Sequence, residues 1–216
     1  MGTRSPDTGG PDGTGGPSPE APVRARDGPS PAPGGGRPAV FLDRDGTLNL
    51  DVGYTWRWSD FVWLPGALDA LRLLADRGLF TAIVTNQAGI ARGLYRAEDV
   101  AALHGMMGRE LAGLGLTAPP VYYCPHHPDF TGPCSCRKPA PGMLVRAARE
   151  HGLDLSRSFM VGDKRSDLDA GLAAGCTPIL VRTGYGAASG PPPSGVLDAP
   201  DVLGAARLIA DLAGVR

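Results

Sequence analysis

From Ala39 onward the chain repeats a pattern that few folds satisfy: a short apolar run, a polar break, then a stretch with apolar residues at helical spacing. The runs are AVFL (39–42), FTAIVT (80–85), PVYYC (120–124), SFMVG (158–162) and PILV (178–181). Their length and their β-branched and aromatic content mark them as buried strands. Between them, 66–78, 97–115, 141–152 and 166–175 read as helices, several stopping at glycine. A last helix is expected over roughly 201–213, after the capping sequence DAPD. Strands that alternate with helices need right-handed crossovers, which makes the fold class α/β: a doubly wound, Rossmann-like parallel sheet covered on both faces.

Residues 1–38 do not share this pattern. They hold 10 Gly and 9 Pro and no Leu, Ile, Phe, Tyr or Trp. Such a segment cannot bury enough apolar surface to offset the entropy of ordering it, so it is expected to be a disordered tail ahead of one domain over 39–216. The formal net charge of −1 among 216 residues gives no electrostatic reason for a nucleic-acid or membrane-surface partner. No apolar run is long enough to span a bilayer, and the start does not resemble a secretory signal. Pro6 stands where a myristoylation motif needs Ser or Thr. A cytoplasmic monomer is expected.

In a doubly wound sheet, ligands bind beyond the carboxyl ends of the strands. Polar signals do follow the apolar runs: Asp43 and Asp45 the first, Thr85, Asn86 and Gln87 the second, a Cys/His cluster the third, and Gly162-Asp163-Lys164 the fourth. An Asp-x-Asp alone is as often a pair of turn or cap residues. The later VGDKRSD brings Asp163 and Asp167 to the same rim, and carboxylates gathered there repel one another unless a cation joins them. Hard oxygen ligands select Mg²⁺. With Lys138 and Lys164 nearby, that site suits a phosphate ester, whose oxygens a metal and ammonium groups can neutralise. No G-x-x-x-x-G-K-[ST] stretch is present, which argues against a P-loop kinase.

The segment CPHHPDFTGPCSC places Cys124, His126, Cys134 and Cys136 as C-x-H, seven residues, C-x-C. Three thiolates and an imidazole make a closed tetrahedral Zn²⁺ site with no position left for chemistry. A disulfide is the competing reading, opposed by the strain of a C-x-C ring and the expected compartment. His127 is an alternative ligand to His126. The metal would staple a Pro/Gly-rich loop and so position Arg137 and Lys138. Cys176 reads as a small buried residue.

Four motifs in order, FLDRDGT, VTNQ, RKP and VGDKRSD, resemble those of the haloacid dehalogenase-like phosphohydrolases over residues 39–212. The resemblance implies that Asp43 is a nucleophile forming an aspartyl-phosphate and that Asp45 is the general acid and base. It also implies Mg²⁺ on Asp43, Asp163 and the Asp45 carbonyl, and Thr85 and Lys138 on the phosphoryl oxygens. The zinc loop, together with VTNQAGIARG and CSCRKPAPGML, resembles the family's branch that acts on heptose bisphosphates for surface polysaccharides or glycosides; histidinol-phosphate phosphatases sharing the loop are the alternative. That branch implies substrate contacts at Asp51, Val52, Gly53, Tyr54, Thr85, Asn86, Gln87, Ala88, Arg137, Lys138 and Lys164, with a small sugar phosphate as the partner. Residues 50–64 and 119–140 leave no room for a cap domain. The three tryptophans of YTWRWSDFVW are expected to pack, with one available to line the pocket. A non-catalytic zinc scaffold would lack at least one of Asp43, Asp45, Lys138 or Asp163, and all four are present.

Overall fold

The structure, a computed structural model, describes Met1 and residues 35–213. Most of the expected tail, residues 2–34, lies outside the described residues. Just upstream of Ala39, Arg37 pairs with Leu153: its N–H donates to Gly152 O (3.3 Å), and its carbonyl accepts from Asp154 N (2.9 Å).

The elements run β1 (Ala39–Leu42), α1 (Ala67–Asp76), β2 (Phe80–Asn86), α2 (Ala97–Gly113), β3 (Val121–Cys124), α3 (Pro128–Thr131), α4 (Gly142–His151), β4 (Phe159–Gly162), α5 (Arg165–Ala174), β5 (Thr177–Val181), β6 (Leu197–Ala199) and α6 (Val202–Leu212). Short 3₁₀ turns occupy 58–60, 155–157 and 184–188. All six strands are parallel, in the order β3-β2-β1-β4-β5-β6. The chain builds outward from β1 to β3, then returns to lay β4 on the other side of β1. The gap between β1 and β4 is therefore the topological switch point, where such sheets bind ligands.

Two core layers follow from strand alternation. Val40, Leu42, Ile83, Phe159, Val161, Ile179 and Val181 meet α1, α2 and α6 on one face, while Ala39, Phe41, Ala82, Val84 and Met160 meet α4 and α5 on the other. Cys176 lies in the second layer. α1 buries Ala67, Ala70, Leu71 and Leu74, spaced as one helical stripe, and α6 starts where Asp201 caps it by accepting from Gly204 N (2.7 Å). No cap domain interrupts the described residues; 50–64 forms only a loop with one 3₁₀ turn, where Trp58 and Trp63 pack about Phe61. No helix among the described residues is long and apolar enough to cross a membrane.

Candidate active site

Asp43 is the first residue past β1, and its N–H still continues the ladder by donating to Val161 O of β4 (2.9 Å). That bond sets its carboxylate over the switch point. Lys138 arrives from beyond β3 and, like Asp43, is buried, with 3% of its surface exposed against 4% for Asp43. Its ammonium donates to Asp43 Oδ1 (2.6 Å) and Val84 O (2.8 Å), and pairs with Asp167 Oδ1 at 2.7 Å. Asn86, at the end of β2, holds the Lys138 backbone on both sides: its Oδ1 accepts from Lys138 N and its Nδ2 donates to Lys138 O, each at 3.1 Å. The Lys138 head is thus aimed by one strand end and received by another.

Asp43, Asp163 and Asp167 form a buried acidic cluster whose oxygens lie within 4.8 Å of one another. Burial pushes Asp43 up to about 8, with Lys138 pulling back and the neighbouring carboxylates adding to the rise. Burial likewise pushes Asp163 up to about 6, against the pull of Lys164 and the Tyr185 N–H. That N–H donates to Asp163 Oδ2 (2.8 Å), yet Oδ1 is buried with no partner. An orphaned carboxylate oxygen among hard ligands is the place a small divalent cation would fill, so the residues fit Mg²⁺. Gly46, at φ 94°, and Gly184, at φ 50°, close on the Asp163 carboxylate so tightly that a Cβ on either would strike it. Asp167 completes the group. Its Oδ2 accepts from Lys164 N (3.0 Å) at the first turn of α5, which leaves Oδ1 to Lys138.

Asp45 occupies a different environment. Arg44 donates to both of its oxygens through Nε (3.2 and 3.1 Å), Asn49 Nδ2 to Oδ1 (3.0 Å) and Gln87 Nε2 to Oδ2 (3.0 Å). Thr85 Oγ1 is 3.4 Å from Oδ2. Desolvation opposes ionisation here, but Arg44 and these donors outweigh it and hold Asp45 below the usual carboxylate range. Two carboxylates separated by a single residue are therefore driven apart in acidity by their surroundings.

A pocket of about 70 Å³ lies over Asp43, Asp45, Thr85 and Lys138. It continues, through shared walls at Gly53, Asn86 and Lys164, into a cavity of about 320 Å³ that reaches Tyr54, Gln87, Ala88 and Arg137. Arg137 is oriented by donating to His126 O (3.2 Å). The family resemblance also allows Lys164 to hold Asp43 in place, but its Nζ lies on Asp51 Oδ2, at 2.8 Å. Val52 is exposed and lines neither space. Three further lining residues, Thr55, Tyr95 and Ser166, were not singled out by sequence. Tyr95 donates to Gln87 Oε1 (2.8 Å) and stacks on Trp56, and no spacing rule links those positions.

The loop after β3 gathers Cys124, His126, Cys134 and Cys136. Sulfur–sulfur separations are 3.1–3.6 Å, and His126 Nδ1 stands 3.7 Å from Cys124 Sγ and 3.3 Å from Cys136 Sγ. A tetrahedron with Zn–S bonds of about 2.3 Å has edges of roughly 3.8 Å, so the cluster is near the size zinc needs. His127 is engaged elsewhere: Nδ1 accepts from Asp129 N (3.3 Å) at the start of α3, and Nε2 meets Arg92 (3.0 Å). Burial raises the Cys124 thiol, whereas hydrogen bonds from its neighbours overcome desolvation at Cys134 and lower it to about 7.

The sequence and fold have counterparts of known structure and activity. A profile of the HAD-hydrolase-like family matches residues 135–199. The D-glycero-beta-D-manno-heptose-1,7-bisphosphate 7-phosphatase of Yersinia pestis is 47% identical over 153 residues, covering 68% of this chain and 81% of that protein. The corresponding enzyme of Thermosynechococcus vestitus is 48% identical over 159 residues, covering 69% and 81%. Among solved structures, the D,D-heptose 1,7-bisphosphate phosphatase of B. bronchiseptica, complexed with magnesium and phosphate, superposes with a TM-score of 0.75 at 37% identity, covering 81% of this chain and 98% of that one. This chain is a phosphatase of the haloacid dehalogenase-like family and belongs to its heptose-1,7-bisphosphate 7-phosphatase branch.

Proposed function

We propose that this phosphatase removes the 7-phosphate of D-glycero-D-manno-heptose 1,7-bisphosphate through an aspartyl-phosphate on Asp43. The observation that carries the reading is the pairing of Asp43 with Lys138 beneath a small polar pocket that widens into a space of sugar size. With Oδ1 taken by Lys138, attack on phosphorus falls to Asp43 Oδ2. As that oxygen bonds to phosphorus, the ester P–O bond breaks, and Asp45 gives its proton to the departing alkoxide. Asp45 then takes a proton from the water that cleaves the acyl phosphate, releasing inorganic phosphate, freeing the Asp43 carboxylate and returning Asp45 to its proton-bearing form. The lowered range of Asp45 makes it the stronger acid toward the departing alkoxide and leaves it ionised when the water arrives.

Asp43, Asp163 and the main-chain carbonyl of Asp45 would hold Mg²⁺, which when bound supplies positive charge to the phosphoryl oxygens. Thr85 and Lys138 grip those oxygens from the protein side, Lys138 releasing one of its three present acceptors to do so. Gly53, Tyr54, Asn86, Gln87 and Ala88 face the sugar, and Arg137 and Lys164 supply cations for its remote phosphate, Lys164 exchanging Asp51 for substrate. Zn²⁺ on Cys124, His126, Cys134 and Cys136 would fix the loop that carries Arg137 and Lys138.

Steady-state comparison of both heptose-bisphosphate anomers, fructose bisphosphate and histidinol phosphate tests the substrate. The heptose bisphosphate should have the highest kcat/KM. A preference for histidinol phosphate above roughly 100-fold, nearly 3 kcal/mol in transition-state binding, overturns the assignment.

A further inference from the structure

Arg44 lies between the two carboxylates in sequence, yet none of its surface is exposed. Burying a guanidinium is costly unless its donors are met, and here they are met on three sides. Nε and Nη2 engage Asp45, the latter at 3.0 Å from Oδ1. Nη2 also donates to Thr55 O (2.6 Å), and Nη1 donates to His104 Nε2 (2.9 Å), 60 residues away on α2. Arginine has no acceptor, so Nε2 must offer a lone pair, and the ring proton sits on Nδ1. His104 is therefore a neutral imidazole, in keeping with burial and Arg44 pushing it down to about 3. A planar fork fixed at all three nitrogens cannot turn without breaking a bond, so the carboxylate it faces cannot turn either.

We propose that Arg44 and His104 are positioning residues for proton transfer: His104 locks the guanidinium, and the guanidinium holds the Asp45 carboxyl at the angle from which it protonates the departing ester oxygen. This rests on the reading of Asp45 as general acid. Neither residue lines the pocket or the cavity, so neither touches substrate.

The departing group separates positioning from general support of the fold. An alkoxide leaves poorly without a proton, whereas nitrophenolate leaves unaided, and kcat/KM reports only the steps through the first P–O cleavage. Full-length wild type, His104→Leu, His104→Gln, Arg44→Lys and Asp45→Asn are compared at saturating Mg²⁺, each first shown to be folded. The substrates are the sugar phosphate turned over best and p-nitrophenyl phosphate. His104→Leu and Arg44→Lys should lose about tenfold or more in kcat/KM on the sugar phosphate and less than about twofold on the aryl ester. His104→Gln, whose amide oxygen can accept from Nη1, should recover most of the loss. Equal losses on both esters, or none, overturn the proposal; should Arg44→Lys not fold, His104→Leu decides. If Asp45→Asn loses selectively on the sugar phosphate while His104→Leu does not, only this inference falls. If Asp45→Asn loses equally on both, the general-acid reading falls with it.

Discussion

Replacing Lys138 by Met keeps the length of the side chain but removes the ammonium that joins Asp43 to Asp167. Charges 2.6 Å apart, as Lys138 and Asp43 are, interact by roughly 6 kcal/mol at an effective dielectric of about 20. Desolvation of each ion returns several kcal/mol of that, and removing one partner of a buried pair usually costs about 3–5 kcal/mol. Here Asp43, already pushed up to about 8, can take a proton in place of its lost partner, which points to the low end. Lys138 itself is raised, carboxylate attraction outweighing desolvation. Its contribution is thus complete below its unfolded pKa and lost only in alkali, so neutral pH lies within the window. A loss of about 3 kcal/mol in a domain of this size lowers Tm by about 6–12 °C. Calorimetry of both proteins at neutral pH in chelator should find that drop, and added Mg²⁺ should raise the variant's Tm more than the wild type's. Turnover should fall by about 10²–10³. A variant that melts with the wild type in chelator would show that the carboxylates do not depend on this cation, and the electrostatic account of the site would fail.

Gly46→Ala forces a Cβ onto the Asp163 carboxylate at a positive φ, a strain of about 1–3 kcal/mol; a titration of activity should show a higher Mg²⁺ requirement and a lower Tm, and an unchanged requirement refutes the contact. Cys136→Ser should reduce bound zinc from about one per chain to near none by metal analysis and take turnover with it, because Lys138 lies two residues on; full activity without zinc removes the cluster from the account. His104, lowered from 6.5 to about 3, binds its proton only in the unfolded chain between those pH values. Stability should therefore rise with pH across that window, by at most about 1.4 kcal/mol per unit. His104→Gln should flatten the slope in denaturant titrations, and an unaltered slope counts against the buried neutral ring.

Much of the fold was legible because its signals are local. Five of the six strands and all the long helices announce themselves by apolar period, and their boundaries shift by only a few residues. β6 escaped because three residues, Leu197–Ala199, are too few to show a period. The carboxylates, lysines and cysteines were legible too, because a strand end in a parallel sheet has a known destination.

The sequence by itself determined the layered parallel sheet, the rim to which Asp43, Asp45, Asp163 and Lys138 must come, and the donor set of the cysteine loop. Only the tertiary structure decided how those groups divide their partners. Lys138 joins Asp43 to Asp167, Lys164 turns to Asp51, and Arg44 reaches His104 across 60 residues. The reason is physical: apolar period is written within one element, whereas the partner of a buried charge is chosen by which other element packs within hydrogen-bond reach of it.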